Sequence, residues 1–152
     1  MLIVISGPSG VGKGTVIKSL IKKLPDLDLA ISYTTRTPRP GEKNGREYFF
    51  VKDADFDQTD FLESALVHGY KYGTPNLEYL KDTIFEVDIQ GARSIREKCP
   101  SCLTIFLVPP SQDELQNRLA NRKTETAEDI EIRLKTAKTG QLQLAGKHKY
   151  KK

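Results

Sequence analysis

Near its start the chain reads Gly7-Pro8-Ser9-Gly10-Val11-Gly12-Lys13-Gly14-Thr15, a glycine-rich loop with a lysine near its end. An apolar run over 2–6 precedes this loop, and apolar residues at helical spacing follow over 16–24. This order predicts a strand, a loop and an amphipathic helix. Glycines let backbone N–H groups point at a phosphate, the helix N-terminus adds positive potential, and Lys13 supplies a cation. We therefore expect the loop to bind the phosphates of a nucleoside triphosphate.

One loop position differs from the general pattern of such sites. Gly14 stands where many nucleotide-binding loops carry a hydroxyl that contacts Mg²⁺, and the first hydroxyl comes at Thr15. Mg²⁺ usually keeps several waters, so a water fits the open position. We expect Mg²⁺ to be held through water and phosphates, near Thr15.

Composition indicates one compact domain. The chain has 152 residues, of which 38% are hydrophobic, and its formal net charge is +4. The basic residues are dispersed, so small phosphates account for them as well as a nucleic acid would, and we expect no nucleic-acid partner. No apolar run is long enough to span a bilayer, and the start of the chain lacks the features of a signal peptide. This favours a cytoplasmic protein without a membrane partner.

A lone cysteine pair does not predict a metal or redox site. Cys99 and Cys102 form a C-x-x-C directly before an apolar run, and the chain has two histidines. A four-ligand zinc site needs a second half, and a redox pair usually starts a helix. We interpret both as incidental thiols.

The remaining segments alternate between strand and helix patterns. Strands are predicted over 2–6, 30–35, 48–51, 61–67, 70–74, 84–88 and 103–108, and helices over 16–24, 53–59, 76–81, 94–98, 112–121 and 129–138. Asp53 and Ser111 are expected to cap their helices, the latter in a capping box with Glu114. The run 103–108 is typical of a strand buried on both faces. We predict a parallel, doubly wound α/β sheet with a small inserted mixed β subdomain.

A second anion site is predicted on the loop over 36–47. Arg36 and Arg39 lie three residues apart on a proline-stiffened segment, and the hydroxyls of Tyr48 and Tyr72 would complete a phosphate-binding ring. Solvated loop arginines with two structural tyrosines are the alternative.

Seven motifs occur in one order along nearly the whole chain, from 2 to about 145. They are Gly-Pro-Ser-Gly-Val-Gly-Lys at 7–13, Ser-Tyr-Thr-Thr-Arg-Thr-Pro-Arg-Pro-Gly-Glu at 32–42, Asn44-Gly45 with Tyr48-Phe49-Phe50, Phe61-Leu62-Glu63, Tyr72-Gly73-Thr74, Asp88-Ile89-Gln90-Gly91-Ala92 and Pro109-Pro110-Ser111. In this order they resemble the guanylate kinases, P-loop nucleoside monophosphate kinases.

The resemblance implies a single domain over 1–152. Its core would comprise 1–32, 84–117 and 134–152, its GMP-binding insertion about 33–83, and its lid about 118–133. The implied activity is direct in-line transfer of the γ-phosphoryl of ATP to GMP, within purine nucleotide metabolism. Substrates would be ATP and GMP, and the chain a monomer or a homodimer.

The resemblance also assigns the acceptor residues. Arg36, Arg39, Tyr48 and Tyr72 would hold the phosphate of GMP, and Ser32, Glu63 and Thr74 would read its base. Guanine presents two adjacent donors, N1–H and the 2-amino group, which one carboxylate accepts together. Adenine would leave that carboxylate unpaired, so selectivity for guanine should be large.

Acidic and basic residues between the two sites complete the implied set. Glu86 and Asp88 resemble the family's paired aspartates near the Mg²⁺ and the acceptor, which implies Mg²⁺ near Asp88 as well as Thr15. The family usually has an aspartate where Glu86 stands, and solvated acids on an edge strand are the alternative. Arg118, Arg122 and Arg133 resemble the arginines that flank the lid. We expect catalysis to involve Lys13, Asp88, Arg122 and Arg133, with Arg118 on the ATP side.

Some features depart from the family pattern. Segments after Tyr48 and after Thr74 are shorter, and the family's last strand and helix have no counterpart in the sequence. Two other functions stay open: a guanylate-kinase-like module that binds phosphorylated peptides without catalysis, and an adenylate-type kinase, which Gly-Lys-Gly-Thr at 12–15 resembles.

Overall fold

The computed structural model describes residues 1–76, 82–121 and 127–145. Eight strands and five helices lie in these ranges. In chain order they are β1 (Leu2–Ser6), α1 (Lys13–Lys23), β2 (Asp28–Ala30), β3 (Tyr33–Thr34), β4 (Phe49–Phe50), α2 (Asp53–Asp57), β5 (Phe61–Val67), β6 (Tyr70–Pro75), β7 (Thr83–Val87), α3 (Ile89–Lys98), β8 (Leu103–Phe106), α4 (Gln112–Ala120) and α5 (Ala127–Ala145).

The first sheet is parallel and has helices on both faces. Its order is β2-β7-β1-β8, and every pairing is parallel. Side chains of β1 alternate between two cores: Val4 packs with Phe85 and Ile95 of α3, and Ile5 packs with Ile17 of α1. This arrangement confirms the predicted doubly wound α/β fold.

The second sheet is mixed and has the order β4-β3-β6-β5. β3 pairs with β4 in parallel, whereas β3 with β6 and β5 with β6 are antiparallel. The β5–β6 hairpin turns at His68 and Gly69, whose φ angles of 50° and 80° are both positive, as a type I′ hairpin turn requires. The predicted inserted β subdomain is therefore present.

The strand predicted over 30–35 is wrong as a single element. β2 ends at Ala30 and pairs with β7 of the first sheet, whereas β3 begins at Tyr33 and pairs with Gly73 of the second sheet. One β-prone run thus serves two sheets, because propensity does not specify which partner a strand pairs with. Ser32 lies at the crossing between them.

One predicted helix start and one predicted helix cap are also wrong. α3 begins at Ile89 rather than near 94, since the Asp88 carboxylate accepts a hydrogen bond from the Gly91 N–H and caps the helix. Lys52, not Asp53, occupies the N-cap position of α2, which has no side-chain cap. One of the two hydrogen bonds of the predicted capping box is confirmed: the Ser111 Oγ accepts from the Glu114 N–H at 3.1 Å.

Other boundaries differ from the expectations. The prediction that the strand at 103–108 is buried on both faces is wrong, because Leu103 is 46% exposed. Among the described strands β8 pairs only with β1, so it lies at the edge of the sheet. α5 is longer than the predicted 129–138. Asn76 follows β6 without helical structure, and the rest of the helix predicted over 76–81 falls outside the described residues. None of the described helices combines the length and apolar character needed to cross a membrane.

Candidate active site

The glycine loop joins β1 to α1 with its backbone turned inward. A Cβ on Gly7 would lie 2.6 Å from the Leu107 carbonyl oxygen, so a side chain does not fit there. Gly12 caps α1 in a left-handed conformation, and neither a side-chain cap nor an acidic residue occupies the first turn. The positive end of α1 is therefore presented without a neutralising group of its own. The Lys13 Nζ donates to the carbonyl of Gly7 at 2.9 Å and that of Pro8 at 3.4 Å, which holds the lysine over the loop.

Arg36 is the centre of the predicted acceptor-phosphate site. It is only 7% exposed. Its Nε donates to the Tyr72 hydroxyl at 3.2 Å, and its Nη1 to the Thr37 carbonyl at 2.6 Å. Its Nη2 donates to both carboxylate oxygens of Glu42, at 3.1 and 3.0 Å. The guanidinium is thus held from three sides in one orientation.

Aromatic rings complete the surroundings of this guanidinium. The Arg36 Cζ lies 5.7 Å from the ring centroids of both Tyr48 and Phe50, within cation–π range. The rings of Tyr48 and Tyr72 meet edge to face, with centroids 5.7 Å apart. Burial, and next the charge of Glu86, raise the pKa of the Tyr48 phenol above its ordinary value. Tyr48 therefore stays protonated and can donate its O–H to an anion.

Arg39 joins this cluster through Glu42. Its Nη1 lies 4.0 Å from the Glu42 Oε1, and its side chain is 30% exposed. The structure thus brings Arg36, Tyr48 and Tyr72 into direct contact and places Arg39 beside them at a more open position.

The three predicted base-reading residues form one buried hydrogen-bonded chain. The Thr74 Oγ1 donates to the Glu63 Oε1 at 2.7 Å and lies 3.1 Å from the Ser32 Oγ. The side chains of Ser32, Glu63 and Thr74 are all buried. Burial raises the pKa of the Glu63 carboxyl, the Thr74 hydrogen bond lowers it, and the charge of Asp88 raises it further, with a net rise above 4.5.

Glu86 lies between the two anion sites. Its Oε2 is 3.9 Å from the place where a Cβ on Gly14 would be, so it borders the glycine loop. Its charge also acts on Tyr48. Two positions at which the sequence departs from the expected pattern, Gly14 and Glu86, therefore face each other. Asp88, at the start of α3, acts instead on Glu63.

Two of the three predicted lid arginines contact the glycine loop. The Arg118 Nη1 donates to the Val11 carbonyl at 2.9 Å, and its Nε to Glu114 at 2.7 Å. The Arg133 Nη1 donates to the Ser9 Oγ at 2.7 Å. Arg122 lies outside the described residues. The C-terminal helices therefore bring positive charge to the triphosphate loop.

Comparisons with known proteins agree with this geometry. A family model described as guanylate kinase matches residues 1–146. The guanylate kinase of Caldanaerobacter subterraneus subsp. tengcongensis is 50% identical over 147 residues, covering 90% of this chain and 71% of that protein. The chain belongs to the guanylate kinase family.

Other members of the family support the assignment. The guanylate kinase of Thermobifida fusca is 47% identical, covering 90% of this chain and 75% of that protein. The crystal structure of guanylate kinase from Anaplasma phagocytophilum superposes with a TM-score of 0.63 at 26% identity, covering 98% of this chain and 87% of that chain. The resemblance drawn from the seven motifs is thereby confirmed, as is the fold class.

Two residues of the site escaped the sequence reasoning. Glu42 contacts both predicted phosphate-binding arginines, and the Pro-Gly turn directly before it was the available signal. Gly91 is the other: a Cβ there would lie 2.5 Å from the Glu63 Oε2, so the helix leaves room for that carboxylate. No signal pointed to it, because the sequence pattern predicts that this helix begins near 94, whereas the structure places Gly91 in the first turn of α3.

Gly91→Ala is expected to damage base recognition without harming the triphosphate site. Alanine usually stabilises a helix by about 1 kcal/mol relative to glycine, but here its methyl displaces the Glu63 carboxylate. We expect the KM for GMP to rise about tenfold or more, which one lost charged hydrogen bond is enough to cause. Steady-state kinetics check this, with Ser94→Ala on the same helix as control. An unchanged KM for GMP would contradict the placement of Glu63.

Stability is expected to fall with rising pH because of Glu63. Its pKa is raised in the folded chain, so the folded state retains this proton above pH 4.5, where the unfolded chain has released it. The free energy of unfolding therefore declines as pH rises from 4.5 through the folded-state pKa. Glu63→Gln lacks this titration. Thermal unfolding from pH 4 to pH 8 should show the variant gaining stability relative to the wild type as pH rises; a constant or shrinking difference would contradict the burial.

Proposed function

We propose that this chain catalyses the reaction ATP + GMP = ADP + GDP, with the two anion sites of one cleft holding donor and acceptor. The observation that carries the proposal is the position of Glu86. It borders the glycine loop at Gly14 and acts on Tyr48 in the arginine–tyrosine cluster. A triphosphate on one side and a monophosphate on the other would therefore meet beside the same carboxylate.

The donor side would be formed by residues 7–15 together with lid arginines. Backbone N–H groups and the uncapped start of α1 suit the phosphates, and Lys13, now donating to its own loop, is placed to exchange those carbonyls for phosphate oxygens. Arg118 and Arg133 already contact this loop and would face the transferring group. We assign Arg122 the same role from the sequence, and 118–133 as the lid.

The acceptor side would be formed by the insertion, about 33–83, together with Ser32. Arg36 and Arg39 would take the phosphate of GMP, with O–H donors from Tyr48 and Tyr72. The Glu63 carboxylate would accept the N1–H and 2-amino donors of guanine, and the linked hydroxyls of Ser32 and Thr74 would serve O6. Each hydroxyl has one hydrogen to donate, and that of Thr74 goes to Glu63 in the structure, so binding of O6 would require the Ser32 or the Thr74 hydroxyl to turn toward the base.

The chemistry needs positioning and charge stabilisation rather than a general base. The acceptor oxygen belongs to a phosphate that is already an anion, so the residues need only align it with the γ-phosphorus. Lys13, Arg122 and Arg133 would stabilise charge on the transferring phosphoryl oxygens, and Asp88 would orient the acceptor. The substrates are small nucleotides, and we place the reaction in the cytoplasm.

The residues around Gly14 also fit a magnesium ion. The Glu86 carboxylate borders the position where Gly14 lacks a hydroxyl, and the Thr15 hydroxyl comes next in the chain. Both are oxygen donors, which Mg²⁺ prefers. Asp88 would join them on the sequence resemblance alone. When bound with ATP, Mg²⁺ neutralises charge on the phosphate oxygens.

A coupled assay of ADP release tests the function. ATP is supplied with GMP, with AMP or with no acceptor. We expect turnover that depends on GMP. A preference for AMP would overturn the acceptor assignment, and binding of GMP without any turnover would favour a non-catalytic binding module instead.

A further inference from the structure

Glu42 is the one described carboxylate that touches both arginines of the proposed acceptor-phosphate site. Both of its oxygens accept from the Arg36 Nη2, and its Oε2 also accepts the Arg39 backbone N–H at 2.7 Å. Its Oε1 lies 4.0 Å from the Arg39 Nη1. The glutamate side chain is 17% exposed, so it makes these contacts largely shielded from water.

The local sequence explains why Glu42 reaches both arginines. Pro40 and Gly41 occupy the centre of a four-residue turn from Arg39 to Glu42, and Gly41 has a φ of 86°. Proline followed by a residue with positive φ is the pattern of a type II turn. The Glu42 N–H donates to the Arg39 carbonyl at 3.0 Å, while its carboxylate accepts the Arg39 N–H. Two hydrogen bonds between Arg39 and Glu42, one in each direction, thus hold the turn, and they keep the Glu42 carboxylate in contact with Arg36.

Charge and donor count favour a supporting role over competition for the anion. Arg36 is almost fully buried, and a buried guanidinium without a counterion is strongly unfavourable. Glu42 supplies that counterion while occupying only Nη2. Thr37 takes one of the two hydrogens of Nη1, so within the described contacts the second is available to a phosphate. With two arginines and one glutamate, the cluster keeps a net positive charge for a phosphate.

We propose that Glu42 is a positioning residue for the acceptor phosphate: it holds Arg36 and the Arg39 turn in the orientation that receives the phosphate of GMP. The proposal rests on the proposed function, because the anion it serves is that of GMP. It implies that Glu42 contributes to binding of the phosphate group and not to binding of guanine or of ATP.

The experiment compares the affinities of GMP and guanosine for Glu42→Gln. Glutamine keeps the size but loses the charge and presents N–H groups toward Arg36. We expect the GMP affinity to fall about tenfold or more, as for other buried hydrogen-bonded charge pairs that lose one partner. The affinity for guanosine and the KM for ATP should stay within about twofold. Glu42→Asp, which retains the charge, should recover part of the GMP affinity.

Glu47→Gln is the matched control. Glu47 lies in the same loop and likewise accepts a backbone N–H, from Lys43 at 2.8 Å, and an arginine Nε, from Arg46 at 2.7 Å. Within the described part of the chain Glu47 contacts neither Arg36 nor Arg39, so its replacement should leave the preference for GMP over guanosine unchanged. The control distinguishes the effect of losing any carboxylate of this loop from the specific effect of losing the Glu42 carboxylate.

Three outcomes would overturn the role of Glu42. Tighter GMP binding by Glu42→Gln would show that the glutamate competes with the phosphate. Equal losses for GMP and guanosine would show a general effect on the fold, and an unchanged GMP affinity would show no role. A wild-type chain that binds GMP no better than guanosine would instead overturn the proposed function, and this proposal with it.

Discussion

Glu63→Gln is expected to abolish most of the preference for GMP over AMP. The carboxylate lies in a buried chain with Thr74 and Ser32, and guanine needs its two acceptor oxygens. Glutamine retains one acceptor and points an N–H group where guanine also donates. Sites built to hydrogen-bond a substrate commonly discriminate by about 10⁴-fold against one that cannot pair. We expect kcat/KM for GMP to fall at least about a hundredfold, and the value for AMP to fall little.

The measurement is the ratio of kcat/KM values for GMP and AMP in wild type and variant. Thr74→Ser serves as control, because serine keeps a hydroxyl that can donate to Glu63; its ratio should stay within about tenfold of the wild type. If Glu63→Gln retained the full preference for GMP, some other group would read the base, and our placement of guanine would be wrong.

Arg133→Met is expected to lower kcat by about a thousandfold while changing the KM for GMP little. Its guanidinium contacts Ser9 of the triphosphate loop, away from the residues assigned to GMP. An arginine that stabilises the charge of a transferring phosphoryl group contributes about 10³–10⁵ in kcat. Methionine keeps the length and apolar stem of the side chain but removes the charge.

Arg96→Met provides the control for Arg133→Met. Arg96 is an exposed residue in the last turn of α3, so its loss should leave kcat within about twofold. Both variants are compared at saturating ATP and GMP. If Arg133→Met raised the KM for ATP and left kcat unchanged, Arg133 would be a binding residue without a role in the transfer step.

The triphosphate loop could be predicted from the sequence because its signals are local. Strand, glycines, lysine and helix follow one another over 2–24, and the observed β1 and α1 lie within that range. The pairing of Glu63 with Thr74 was within reach as well. A two-residue turn at His68 and Gly69 fixes the register of the hairpin, and counting outward places the two residues opposite each other.

Other features depend on contacts that are distant in the sequence. The position of Ser32 could not be derived from the residues alone, because the run around it belongs to two sheets and only the pairing partners separate them. The start of α3, by contrast, depends on a local contact that the sequence pattern did not indicate, since the Asp88 carboxylate accepts the Gly91 N–H and caps the helix. The role of Glu42 depends on where the buried Arg36 lies, which Tyr72, thirty-six residues away, helps to fix.

The central claim is that one cleft passes a phosphoryl group from a nucleotide on the glycine loop to a guanine nucleotide on the insertion. The most direct measurement follows ³²P from [γ-³²P]ATP in the presence of GMP, with products separated and counted. We predict that label appears in the β-phosphate of GDP, in amounts equal to the ADP formed, and that AMP is labelled far more slowly. Release of labelled inorganic phosphate without labelled GDP, or faster labelling of AMP, would contradict the account.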